Sequence, residues 1–98
     1  MKKKLMTLNL FGQRWKVYHA KLHPEYAGHC YYDKHIIEIN DEIPASTLLF
    51  QETLIHELLH ALFHRMSYRQ SGLSHDLEEV MIDQLAKAFT ENFRLQKK

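Results

Sequence analysis

The residues best placed to do chemistry lie in one short run, His56-Glu57-Leu58-Leu59-His60. Four residues turn an α-helix by about 400°, so the two imidazoles would stand one turn apart and only about 40° around the axis from each other. Side chains so placed can hold one tetrahedral zinc ion, and Glu57 beside them can take a proton from a water in the ion's open position. Histidine is abundant in the chain as a whole, with 8 in 98 residues, which also points toward metal chemistry.

The surroundings of this run separate a site from a coincidence. On a helical wheel, Phe50, Leu54, Ile55, Leu58, Leu59, Leu62 and Phe63 occupy most of the circumference. The titratable groups Glu52, His56, Glu57, His60 and His64 are confined to an arc of roughly 140°. Such a helix is buried nearly all round and keeps one polar stripe, as the floor of a cleft would.

Zinc in a catalytic site needs a third protein ligand. The continuation HExxHxxGxxH of the metzincins is excluded, because Met66 stands where it needs the last His. His64 lies about 80° from His56, a poor angle for closing one tetrahedron from a single helix. That leaves the adjacent pair Glu78 and Glu79. Glu79 has Asp83 one turn on, able to orient a ligand histidine through its other ring nitrogen. Glu78 points into the centre of the apolar stripe of Met81, Ile82, Leu85, Phe89 and Phe93, where a carboxylate is costly unless paired or coordinated. Periodicity leaves both open.

The elements that must carry these residues follow from pattern. Alternation from Leu5 to Ala20, broken by Gly12-Gln13, predicts a hairpin, and Lys21 to Gly28, with Pro24, predicts a connection. Cys30-Tyr31-Tyr32, a turn near Asp33-Lys34, and His35 to Asn40 predict a second β region. Pro44 suits a first helical turn, with Ser46 and Thr47 as cap candidates, and that helix is expected to run to about Met66. Ser74 can cap a second helix running to about Leu95, its first turns acidic with Asp76, Glu78 and Glu79.

Composition narrows the classes further. A chain of 98 residues with 45% hydrophobic and 26% charged content is expected to form a single domain over residues 1–98. Lys+Arg 13 against Asp+Glu 12 gives no broad nucleic-acid-binding balance, and Lys2, Lys3 and Lys4 read as a solvated end. The single cysteine, Cys30, fits a reducing compartment. Thr7 and Asn9 interrupt the apolar run behind the amino-terminal lysines, so no export signal is read, and no stretch is long enough to span a membrane. A cytoplasmic protein is expected; its oligomeric state is not legible.

The run Thr53 to Leu62, with the strand His35 to Asn40 before it and Glu79 to Ala86 after it, resembles the minimal zincin metallopeptidases of the ImmA/IrrE type, especially the short phage and prophage versions. In that family the second helix reads Glu-x-x-Ala-Asn-x-Phe-Ala. Laid on this chain, the motif selects Glu79 as the third ligand, with departures at Ile82, Asp83 and Leu85. The resemblance implies zinc held by His56, His60 and Glu79, and Glu57 as general base in peptide-bond hydrolysis. The alternative is a zinc-containing binding or regulatory module without turnover. The expected fold is α+β and zincin-like, a small, mainly antiparallel sheet packed on the HExxH helix, with the carboxy-terminal helix behind it. A protein or peptide substrate is the expected partner, adding as a strand beside His35 to Asn40. Tyr68, His75 and His64 are the candidates for steadying the oxyanion.

Overall fold

The computed structural model describes residues 2–10, 12–65 and 74–93. The fold is α+β, with strands β1 (Lys3–Leu10), β2 (Gln13–Ala20), β3 (Gly28–Tyr31) and β4 (Ile36–Asn40) followed by helices α1 (Leu48–Arg65) and α2 (His75–Asn92). The strand order is β1-β2-β4-β3. β1 with β2 and β3 with β4 are antiparallel, whereas β2 and β4 run parallel.

The hairpin begins earlier than its apolar pattern suggests. Lys3 and Lys4 pair with His19 and Tyr18, so these lysines, though exposed, belong to a strand. Lys2 is tied down as well, its ammonium 2.7 Å from the Glu38 carboxylate. Gly12 closes the turn at φ 74°, a left-handed conformation that glycine adopts without steric cost. At the second turn, His35 takes the same region at φ 55° and precedes β4 instead of opening it.

β4 is an interior strand. It is paired on both sides, so the expectation that His35 to Asn40 offers a free edge is overturned. The near-continuous Ile36, Ile37 and Ile39 are what a strand enclosed by neighbours carries. The edges are β1 and β3. To reach the far edge, the chain crosses from β2 over β4 through residues 21–27. Asn40 at the end of β4 pins that crossing by donating to Tyr26 O at 2.9 Å and, over longer distances, to Leu22 O and His23 O.

Against the inner face of the sheet lies α1. Phe50, Leu54 and Ala61 join Trp15, Val17, Ile37, Ile39 and Ile43 in one buried cluster. On its other side, Ile55, Leu59 and Phe63 pack with Ile82 and Ala86 of α2 in a second. Apolar residues around most of the helix are thus consumed by two partners, sheet and helix. The first turn is capped by Thr47, whose Oγ1 accepts from Phe50 N at 3.1 Å and donates to Pro44 O at 2.7 Å. Pro44 therefore stands before the helix and not in its first turn. The expected end at Met66 lies outside the described residues.

Ser74 caps α2, accepting from Leu77 N at 3.2 Å, and the helix closes at Asn92 instead of Leu95. Its buried face is Glu78, Ile82, Ala86 and Thr90, while Leu77, Met81, Phe89 and Phe93 are exposed. This face is rotated by about 60° from the stripe that the apolar residues alone predict. Small Ala86 lets α2 approach Ile55, Leu59 and Phe63 closely, and the rotation swings Glu79 toward the HExxH stripe. Among the described helices, none is long and apolar enough to cross a membrane.

Candidate metal centre

His56 and His60 project from the middle of α1 with their Nε2 atoms 3.2 Å apart. Glu79, from the first turns of α2, brings Oε1 to 2.9 Å from His60 Nε2 and Oε2 to 3.9 Å from His56 Nε2. One donor atom from each residue falls within 4.8 Å of the others, so His56, His60 and Glu79 could hold a metal ion.

The far side of each imidazole decides what these donors are. His56 Nδ1 lies 3.1 Å from Asp83 Oδ1, and His60 Nδ1 lies 3.1 Å from Glu78 Oε1. A carboxylate at Nδ1 holds the ring proton there, which leaves Nε2 with its lone pair. Two lone pairs and the Glu79 carboxylate then converge with no proton among them. Such an arrangement is repulsive until a cation takes the centre. Two nitrogens and a carboxylate oxygen, each imidazole oriented from behind, are a donor set that zinc accepts, so the residues fit the ion. Burial and the neighbouring His60 hold His56 below the usual histidine pKa, against the pull of Asp83, Glu79 and Glu52, which again favours neutral imidazole.

Glu78, the alternative third ligand, occupies a different place. It is 1% exposed, deep between the helices, with its carboxylate on the back of His60. Glu79, at 36% side-chain exposure, faces the cleft. The sequence signal for Glu78 was its position at the centre of the apolar stripe, where a carboxylate demands a partner, and His60 is that partner.

Glu57 sits beside the donors, buried at the base of a cleft of about 430 Å³. Burial pushes its carboxyl up to about 7, opposed by His60 and reinforced by the charge of Glu79. Gly28 of the edge strand lies directly against it. A Cβ at Gly28 would be 3.1 Å from Glu57 Cγ, from Thr53 Cγ2 and from Glu38 O, so a side chain there would push its neighbours by a few tenths of an ångström. Nothing in the local pattern marks Gly28 as more than the end of a connection; its importance comes from the packing of β3 on α1.

The whole chain bears out this zincin-like reading at the level of family. Residues 3–95 match the SprT-like family, which is related to the zincin-like metallopeptidases. The chain belongs to the SprT-like family. No curated protein and no solved structure matches it. The match names this family and not the ImmA/IrrE type.

Around the SprT-like centre, the cleft is walled by Tyr26 and Ala27 of the crossing segment, by Glu52 and Thr53 of α1, and by Asp83 and Lys87 of α2. Two residues considered for the oxyanion stand elsewhere. His64 is exposed and stacks on Tyr32 with centroids 4.1 Å apart, and His75 is exposed beside Asp76. Tyr68 lies outside the described residues. Cys30 lies on the inner face of β3, where burial, then the charge of Glu57, pushes its thiol up to about 12.

Proposed function

We propose that this chain is a zinc-dependent metallopeptidase, with His56, His60 and Glu79 holding the ion and Glu57 serving as general base. The observation that carries the reading is the convergence of two histidine lone pairs and one carboxylate, each imidazole backed by its own carboxylate. When bound, zinc supplies Lewis-acid polarisation and lowers the pKa of water. Glu57 takes a proton from the attacking water and passes it to the leaving amine as the C–N bond breaks. Asp83 and Glu78 keep both imidazoles in the tautomer and orientation this requires.

The free edge of β3 supports an extended peptide as substrate. That strand borders the cleft at Gly28, and its outer backbone groups, on the sheet edge among the described residues, can accept the substrate as a further strand. Backbone pairing holds any extended segment, so an unfolded protein or peptide is the substrate class, cut internally. The single cysteine accords with a cytoplasmic setting. Kinship to the ImmA/IrrE type, within this reading, rests on the HExxH run and on Glu79 to Ala86.

The competing reading is a zinc-containing binding or regulatory module without turnover. Among the described residues three donors converge, the number that leaves a position open, whereas structural zinc is closed by four. The test uses zinc-loaded protein and its Glu57→Gln variant on unfolded casein. Both should hold about one zinc, and the variant should cleave roughly 10²- to 10⁴-fold more slowly. Equal rates would remove Glu57 from the mechanism, and no cleavage by either protein would favour the binding module.

A further inference from the structure

α2 has two faces, and α1 uses only one of them. Glu78, Ile82, Ala86 and Thr90 are buried, covering about a third of the helix circumference. With Leu77 set at 0° on the helical wheel, Met81, Gln84 and Ala88 lie within about 40° of it, and Val80 and Leu85 about 60° and 80° to either side. Leu77 and Val80 are 51% and 59% exposed, Met81, Gln84 and Ala88 are exposed, and Leu85 is half-buried. Among the described elements α1 alone touches α2, so none packs on this arc.

The apolar stripe is its own complement. Leu77, Met81, Gln84 and Ala88 follow one another at intervals of 4, 3 and 4 residues, the alternation of a seam between two helices, and the series reads the same in both directions. We infer that α2 pairs antiparallel with α2 of a second copy of this chain, forming a symmetric dimer. Leu77 then stands against Ala88 of the other copy and Met81 against its Gln84, each contact made twice. The two Gln84 residues come within about 4.5 Å along the axis, so their amides, donor and acceptor both, can bond across the two-fold and fix the register. On one flank Leu85 closes over Met81 of the other copy. On the other flank Lys87 comes within about 3 Å along the axis of Asp76 of the other copy, an opposite charge. The two-fold brings equal flanks to the same side, so both clefts, each bordered by its own Asp83 and Lys87, open on one side of the dimer.

Area sets the strength. A helix of 18 residues is about 27 Å long and, with side chains, about 10–12 Å across, so pairing takes roughly 500 Å² from each copy and about 1,000 Å² in all. This is the low end for a specific association, and the dimer is therefore reversible, with a dissociation constant in the micromolar range. Below that concentration the chain is a monomer and the face is bare. A lipid surface would also accept an apolar helix face, but α2 carries Asp76, Glu78, Glu79, Asp83 and Glu91 against Lys87, a sign that anionic headgroups repel. A foreign helix would not require a series that is its own reverse.

The experiment is sedimentation equilibrium of the intact protein from about 1 to 300 μM, a span that brackets a weak dimer. The weight-average mass should rise from one chain toward two and stop there. Met81→Glu, which brings two carboxylates into the seam, should weaken association at least roughly tenfold. Thr7→Glu, on an exposed position of β1, should leave it unchanged. Leu77→Lys and Ala88→Glu should each weaken the dimer alone, and an equal mixture of the two should associate more tightly than either, because the register brings the substituted positions together. Urea midpoints measured at about 1 μM, where the chain is monomeric, should match the parent's for every variant, so that a lost dimer is not a lost fold. The mass of one chain throughout the range, a Met81→Glu protein that associates as the parent does, a mixture no tighter than its components, or flotation of the protein with phosphatidylglycerol vesicles would each overturn the inference.

Discussion

The two helices are equally long, 18 residues each, yet they are held in opposite ways. α1 is wedged between the sheet and α2, with apolar residues committed on both sides. α2 touches α1 alone among the described elements and leaves Leu77, Val80, Met81 and Phe89 exposed. The enclosed helix carries the paired histidines and Glu57, and the half-free helix supplies the third donor. The groups that need the strictest placement thus stand on the element with least freedom, and the site is completed by an element whose rotation depends on a single interface.

That comparison can be broken at the joint between the helices, where the largest effect is expected. Glu79→Ala should abolish stoichiometric zinc binding, measured by competition with a chromophoric chelator. Asp83→Ala and Glu78→Gln should each weaken affinity by roughly 10- to 100-fold, because each leaves the ligands in place and loosens one imidazole. Were Glu78→Gln to eliminate zinc while Glu79→Ala kept it, the rotation of α2 described above would be wrong by one residue.

Stability should divide along the same line. Leu54 of α1 is 0% exposed, so Leu54→Ala is expected to cost about 2–5 kcal/mol in urea unfolding. Met81 of α2 is 39% exposed, and Met81→Ala should stay within about 0.5 kcal/mol. Similar losses at both positions would show that α2's outer face is covered in solution.

The smallest expected effect tests how dry the underside of α1 is. Cys30 has its folded pKa raised, from an ordinary 9.0 to about 12, so the fold prefers the neutral thiol. Its influence on stability is therefore constant below about pH 9 and becomes progressively destabilising as pH rises from there toward 12. Compared with Cys30→Ala, the parent should lose stability as pH rises from about 9 toward 12, and its thiol should resist iodoacetamide until unfolded. A pH-independent difference between the two proteins would mean that water reaches β3 from beneath.

Much of this was legible because it is local. HExxH declares its own geometry, since one helical turn separates the histidines whatever the rest of the chain does. The hairpin and the Ser74 cap are written in alternation, turn residues and capping chemistry. Where sequence reasoning went astray, the deciding contact was distant. His35 to Asn40 was expected to offer an edge, but strand order depends on which strands meet, and the crossing pinned by Asn40 carries β3 to the outside. Lys3 and Lys4 looked like a free end until a partner strand gave them register.

Sequence alone therefore determined the α+β class, the two helices and the side-by-side histidines, all consequences of spacings within a few residues. Tertiary structure decided that β3 borders the cleft, that Gly28 packs tightly against Glu57, and that Glu79 faces the histidines while Glu78 stands behind one of them. The physical reason is rotation. A wheel of apolar residues leaves a helix free to turn by tens of degrees, and the choice falls to the small side chain of Ala86 and to a buried carboxylate that needs an imidazole.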